Sequence, residues 1–170
     1  INMGRVEDIR EMAEVVELAT KFLICGTLKA KLPYDKVELT CAKNRRLGLG
    51  LMGMHEWLIQ NGEQYEVTTE LHNWLAVYKG VSDKISKATA DRLSISHPIA
   101  NRAIAPTGSI GILAGSSTGV EPLFAVAYKR RYLRGNTWRY QYVVDSAAAK
   151  LIDRYDTDPE SIESALDLAN

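Results

Sequence analysis

Over residues 8–23 apolar positions recur at helical spacing, with Ile9, Met12, Ala13, Val16, Ala19 and Leu23 on one face and Arg10, Glu11, Glu14, Glu17 and Lys21 on the others. The pattern predicts an amphipathic helix lying on a core. A shorter helix is predicted over residues 34–43, behind Pro33, a residue suited to the first helical turn. Residues 46–51 alternate leucine with glycine and read as a strand whose missing side chains admit another backbone or a ligand. The next helix starts at Met54 and ends at Asn61-Gly62. A long helix over residues 68–92 follows from Leu71, Trp74, Leu75, Tyr78, Ile85 and Ala88, with Thr68 or Thr69 as its N-cap. Strands are predicted at residues 102–105, 124–128 and 140–144, the last two joined through Lys129-Arg130-Arg131 and a Gly135-Asn136 turn. Helices close the chain at residues 146–155 and, behind Asp158 and Pro159, at residues 159–169. Helices alternating with short strands indicate α/β architecture with a parallel sheet or barrel.

The 170 residues amount to one domain by length, or a piece of a larger one. Acidic and basic residues balance at 21 each, which leaves no electrostatic footprint for direct nucleic-acid or acidic-membrane binding and argues for a small-molecule partner. No apolar run approaches the roughly 20 residues of a membrane span, and no signal sequence is visible, so a soluble, cytoplasmic protein is expected. Cys25 and Cys41 lack the spacing of a redox or metal motif and are expected as reduced thiols filling core space. The chain opens Ile1-Asn2-Met3-Gly4 without an initiator methionine, as though taken from the middle of something longer.

Chemistry concentrates in residues 104–115, where a short strand runs into the turn Pro106-Thr107-Gly108-Ser109-Ile110 and opens a helix. The first turn of a helix presents backbone N–H groups without intrahelical acceptors, and an anion placed there satisfies them. Thr107 and Ser109 add hydroxyl donors, while Gly108 and Gly111 let a ligand approach the main chain. Serine and threonine at a helix start are equally ordinary caps, and the residues alone leave both readings open.

Other candidates carry blander alternatives. Gly48-Leu49-Gly50-Leu51-Met52-Gly53 is a literal dinucleotide motif, yet Lys43-Asn44-Arg45-Arg46 leads into it where a buried apolar strand is needed. Arg45 and Arg46 face a phosphate, a partner carboxylate or simply solvent. His55, His72 and His97 lack metal-ligand spacing and read as ordinary, partly buried histidines. At most two of Lys129, Arg130 and Arg131 share a strand face, as a surface patch or subunit contact. Glu121-Pro122 pins the end of a glycine-rich turn.

Three segments together resemble the large catalytic chain of ribonucleotide reductase: residues 44–53, the Ala105-Pro106-Thr107-Gly108-Ser109-Ile110 loop, and residues 114–122, read as Ala-Gly-Ser-Ser-Thr-Gly-Val-Glu-Pro. Ile1-Asn2-Met3-Gly4 is similar to that family's Ile-Asn-Leu-Ala segment, so the resemblance covers nearly the whole chain. The continuation Leu-Phe-Ala-Val-Ala-Tyr-Lys-Arg-Arg-Tyr looks most like the adenosylcobalamin-dependent class.

The resemblance implies a partial ten-stranded α/β barrel in which Pro106, Thr107, Gly108, Ser109 and Ile110 hold the phosphates of a ribonucleotide substrate through main-chain N–H groups. It implies radical reduction to the deoxyribonucleotide with adenosylcobalamin as cofactor and a dithiol reductant such as thioredoxin as partner. The family's Asn-Pro-Cys-Gly-Glu motif, which bears the thiyl-forming cysteine, would precede Ile1, and neither Cys25 nor Cys41 falls in a matching motif. The expectation is therefore a C-terminal barrel portion (residues 1–170) that supplies the phosphate cradle and needs for turnover a missing N-terminal part, whether that is a separate chain or is lost by truncation. The alternatives are a stand-alone nucleotide-binding module without chemistry and a nicotinamide-dependent oxidoreductase using Gly48 to Gly53.

Overall fold

The computed structural model describes residues 1–125, 127–145, 148–150 and 153. A 3-10 turn at Met3–Arg5 is followed by α1 (Ile9–Lys29), α2 (Asp35–Asn44), α3 (Met54–Gln60), α4 (Thr69–Arg92), α5 (Gly108–Ala114), β1 (Ala127–Arg134) and β2 (Thr137–Val144). The chain divides into two compact units.

The first unit comprises Ile1, Val6–Leu51 and Val67–Ala105. Asp8 starts α1 by accepting the backbone N–H groups of Arg10 and Glu11 at 2.8 and 2.7 Å, and Thr68 starts α4 by accepting that of Leu71 at 3.2 Å. Tyr34 caps α2 without a side-chain bond, so Pro33 stands before the cap and not in the first turn.

α1 packs on α4 through Met12, Val16, Thr20 and Ile24, spaced four apart. Burying each of the three apolar side chains is worth about 1.5–3 kcal/mol. This face is narrower than the predicted one, since Ile9 is exposed and Ala13, Ala19 and Leu23 are only half-buried. On α4 the buried positions run from Leu71, Trp74 and Tyr78 to Ser82, Ser86, Thr89 and Ala90, and Ala88 faces outward. Three of the buried hydroxyls are satisfied inside their own helices: Thr20 donates to the Val16 carbonyl at 2.7 Å, Ser82 to that of Lys79 at 3.0 Å and Ser86 to that of Asp83 at 3.1 Å.

The two cysteines correct an expectation. Cys25 sits one residue beyond the buried Ile24 and is exposed, and Cys41 is half-buried, so neither thiol fills the core.

Between α2 and α3 the residues alternate sharply, with Leu47, Leu49 and Leu51 buried. Leu47 and Leu49 donate to the carbonyls of Ala100 and Asn101 at 2.8 and 3.1 Å, and Ala103 donates back to Leu49 at 3.0 Å. The strands predicted at residues 46–51 and 102–105 are thus reduced to one parallel bridge, Leu49 with Arg102. A longer ladder needs further neighbours, and Leu49 already shares its carbonyl with the Tyr78 hydroxyl at 2.6 Å. Gly50 serves this pairing, because a Cβ there would lie 3.1 Å from the Ala103 carbonyl oxygen. Arg102 ties the segment to α4 through Asp83 and Ser82, each at 2.6 Å, and Asn101 adds a bond to Asp83 at 2.7 Å.

The second unit contains Asn2–Arg5, Met52–Glu66 and the described residues from Pro106 onward. All of α3 from Met54 to Ile59 is buried, His55 and Glu56 included. A parallel bridge joins Asn2 to Met52, with Met3 donating to the Met52 carbonyl at 2.8 Å. β1 and β2 form an antiparallel hairpin from Ala127↔Val144 to Arg134↔Thr137. Gly135 opens its two-residue turn at φ +60°, the sign that a hairpin turn with glycine in its first position requires. The hairpin turns at Gly135-Asn136 as predicted and is longer than predicted, its strands running through Lys129-Arg130-Arg131 up to the turn. Of the helices expected at residues 146–155 and 159–169, only Ala148, Ala149, Lys150 and Asp153 are described, and these are helical; the remainder lies outside the described residues. Among the described residues no helix is long and apolar enough to cross a membrane.

Candidate functional site

Residues 106–110 belong to the second unit and lead into α5. Thr107 adopts the left-handed conformation, φ +48° and ψ 25°, uncommon for a β-branched residue, and its side chain makes no capping bond to α5. Its Oγ1 accepts instead from the Gly119 N–H at 2.6 Å, and its carbonyl accepts from the Gly111 N–H at 2.7 Å. The hydroxyl that would cap the helix is therefore engaged with the turn at residues 116–119.

As a result, the N–H groups of Gly108, Ser109 and Ile110 have no acceptor among the described residues, and all three residues are exposed. Residues 103–120 carry no charged side chain, so the donors presented here are backbone amides without a competing carboxylate in the segment. A Cβ built on Gly108 would meet no atom within 4 Å, which leaves the approach to the main chain open. Gly111 differs. Its Cβ would come within 2.8 Å of Thr118 Cγ2, so this glycine admits the neighbouring turn and not a ligand, against expectation.

The turn at residues 116–119 organises the unit. Ser116 Oγ donates to Asn2 Oδ1 at 2.9 Å, the Ser117 carbonyl accepts from the Gly53 N–H at 2.9 Å, and Ser117 Oγ accepts from the Glu56 N–H at 3.2 Å. Hydrogen bonds thus join three segments far apart in sequence: the Ile-Asn-Met opening, the start of α3 and the Pro-Thr-Gly-Ser loop.

The model of the ribonucleotide reductase barrel domain matches residues 1–76 and 96–169. The chain belongs to this family. It is 29% identical over 150 residues to a vitamin B12-dependent ribonucleoside-diphosphate reductase of Thermoplasma acidophilum, covering 78% of this chain and 20% of that protein. It is 28% identical over 144 residues to the enzyme of the same name from Mycobacterium tuberculosis, covering 75% and 21%. It is also 28% identical over 127 residues to a protein of Mycobacterium phage D29 whose name assigns it provisionally to the adenosylcobalamin-dependent ribonucleoside-triphosphate reductases, covering 73% and 18%. The chain spans about a fifth of the length of these relatives.

Within this reductase barrel chain the glycines of residues 48–53 do not form a dinucleotide cradle. Gly50 is closed by the Ala103 carbonyl, and a Cβ on Gly53, at φ +74°, would lie 2.4 Å from Asn2 Oδ1 and 2.6 Å from Ser116 Oγ. Protein atoms fill the space that a nicotinamide reading needs.

The sequence reading missed the polar pair inside α3. His55 is fully buried, its Nδ1 accepts from the Leu123 N–H at 2.8 Å, and its ring meets Tyr65 edge-on at 5.3 Å. Accepting at Nδ1 places the proton of the neutral ring on Nε2, which has no partner among the described residues. Burial pushes the His55 pKa down, partly offset by the negative charge of Asp145. Glu56, also fully buried, receives Lys150 Nζ at 3.2 Å and Gln60 Nε2 at 3.4 Å on Oε1, while Oε2 has no partner among the described residues. Its carboxyl packs on Gly4, where a Cβ would come within 2.8 Å of the Glu56 side chain. In the seven residues Met-His-Glu-Trp-Leu-Ile-Gln, two adjacent polar side chains give no sequence signal that both are buried.

His72 is exposed, and His97 pairs with Asp91 at 2.6 Å on the surface. Among the described residues no cluster of histidine, cysteine or acidic side chains could hold a metal ion. Glu121 is exposed. On the hairpin, Lys129 stacks over Tyr140 and Tyr142 at 4.8 and 5.5 Å and Arg131 over Trp138 at 4.4 Å, leaving Arg130 on the opposite face.

Proposed function

We propose that this chain supplies the substrate-phosphate cradle and part of the wall of a ten-stranded α/β barrel in an adenosylcobalamin-dependent ribonucleotide reductase. The observation that carries the reading is the set of three exposed, unpartnered amides at Gly108, Ser109 and Ile110, held open because Thr107 bonds to Gly119. Pro106 and Thr107 shape the turn, and the three amides bind the anionic oxygens of the nucleotide. A helix of two turns has a small dipole, so the donors themselves provide the attraction.

Assembly with further chain of the reductase is supported by apolar side chains open to solvent, among them Phe22 at 74%, Leu113 at 89% and Phe124 at 82%. The full reaction is the reduction of a ribonucleotide at its 2′ carbon, with a dithiol such as that of thioredoxin as reductant. When bound, adenosylcobalamin supplies the radical chemistry. Two cavities of the first unit do not suit that cofactor: the one walled by Thr27, Leu28, Cys41 and Arg45 holds about 140 Å³, and the one beside Glu7, Asp8, Glu11 and Glu14 presents carboxylates to a phosphate-bearing molecule.

The test is titration of 15N-labelled chain with ribonucleotide and with the matching nucleoside. Nucleotide should shift the amides of Gly108, Ser109 and Ile110, and nucleoside should leave them in place. Equal response to both would remove the phosphate role. Reductase turnover by the isolated chain with cobalamin and a dithiol would overturn the division of labour, whereas nucleotide binding by the complete enzyme without any turnover would favour a binding module.

A further inference from the structure

Arg45 is the C-cap of α2 and adopts a left-handed backbone, φ +41° and ψ 42°, where glycine or asparagine is the ordinary choice. Its side chain is not solvated, as the flanking charges suggested, but 9% exposed, whereas its neighbour Arg46 is open. Among the described residues Nη1 reaches only Thr27 Oγ1, at 3.4 Å, and Nε is buried without an acceptor. Among the described residues no carboxylate lies within ion-pair distance of it. A buried guanidinium with an idle N–H is costly, and elsewhere in proteins that cost is met by a carboxylate or phosphate on the donor edge.

The guanidinium borders a cavity of about 140 Å³ between the end of α1 and α2, lined also by Thr27, Leu32, Glu38 and Cys41. A water takes about 30 Å³ of liquid volume, so the space admits a tetrahedral oxyanion together with a few waters. Residues 27–46 hold six basic and two acidic side chains in a chain of zero net charge, a local excess that draws anions. Glu38 is exposed on the wall and is the internal competitor for Arg45.

We propose that this cavity is a site for a small free oxyanion of the size of inorganic phosphate, anchored by Arg45. It lies in the first unit, whereas the Pro106–Ile110 loop belongs to the second, and it stands or falls independently of the substrate cradle.

The two thiols make a test possible. Cys41 lines the cavity, and Cys25 on α1 is exposed and serves as the internal reference. Alkylation by anionic iodoacetate and neutral iodoacetamide is followed at each cysteine by mass spectrometry, with helicity checked by circular dichroism. The iodoacetate-to-iodoacetamide rate ratio at Cys41, divided by that at Cys25, should be about tenfold above unity. Inorganic phosphate, but not chloride at matched ionic strength, should suppress it. Arg45→Asn, which tolerates the left-handed backbone, should bring the ratio to about one. Arg45→Lys keeps the charge but loses the planar donor pair, and should retain steering while losing phosphate protection. A ratio near unity in the helical wild-type chain overturns the proposal, as does steering that phosphate fails to suppress more than chloride.

Discussion

Substituting Gly108 by alanine separates the cradle from the fold. The new methyl meets no protein atom within 4 Å, and the position lies in the first turn of α5 at ordinary helical backbone angles. On folding alone the change is neutral or stabilising by up to about 1 kcal/mol, since alanine loses less backbone entropy than glycine. On binding it stands where an oxyanion approaches the amides. Loss of one hydrogen bond to a charged group costs about 1.5–3 kcal/mol. At about 1.4 kcal/mol per factor of ten, nucleotide affinity should fall about 10- to 150-fold. Gly111→Ala provides the opposite case, because its methyl would lie 2.8 Å from Thr118 Cγ2. Overpacking of this kind costs about 1–3 kcal/mol of stability. The assay pairs calorimetric melting with nucleotide Kd in the reductase containing each variant. Gly108→Ala should keep its Tm and lose affinity, and Gly111→Ala should lose Tm. Unchanged affinity in Gly108→Ala at unchanged Tm would refute the cradle, and a melting loss matching that of Gly111→Ala would show that protein, not ligand, occupies the space before the loop.

Other outcomes follow from the buried polar groups. His55 is held neutral with a pKa below its unfolded value of 6.5, so the unfolded chain takes up its proton first; stability is full above about pH 6.5 and declines as pH falls through that value towards the lower folded pKa. His55→Gln should flatten that part of the stability profile, measured by urea midpoints across pH 4.5–8 on a scale of about half a unit per step. Asp83, held below its usual range chiefly by the hydrogen bond from Arg102 and also by that from Asn101, contributes in a separate window: its share is present above about pH 3.8 and is lost as pH falls through the depressed value. Tyr78→Phe removes the hydroxyl bond to the Leu49 carbonyl, which keeps Ala103 as a donor, so the expected loss is about 1 kcal/mol in chemical denaturation. Lys150→Met leaves the buried Glu56 carboxylate with Gln60 alone and should cost about 1–3 kcal/mol, with part recovered in the double variant Glu56→Gln, Lys150→Met. A single-variant loss near zero would show that solvent already satisfies Glu56.

Local chemistry was enough to read the helices, because each rests on information within one or two turns: Thr68 as a cap, the helical recurrence of apolar residues around Met12 and Val16, and Asn61-Gly62 as a stop. The Pro-Thr-Gly-Ser turn before α5 was equally visible, as was the Gly135-Asn136 reversal of the hairpin. The extent of the hairpin was not, since β1 and β2 bury almost nothing and therefore lack the alternation that marks a strand against a core. Residues 46–51 carried that alternation and yet form a single bridge, because pairing depends on which segments arrive alongside, a property of the whole chain. The same holds at the sites. Composition left Thr107 free to cap α5 or to release it, and the bond to Gly119, twelve residues away, decided the matter. Gly111, Gly50 and Gly53 looked open to a ligand in sequence and are closed by Thr118, Ala103 and Asn2. His55, Glu56 and Arg45 acquired their burial only from residues distant in sequence or from the meeting of two helices. Periodicity and caps thus come from neighbours along the chain, whereas solvation, hydrogen-bond partners and the space before a glycine come from neighbours in space.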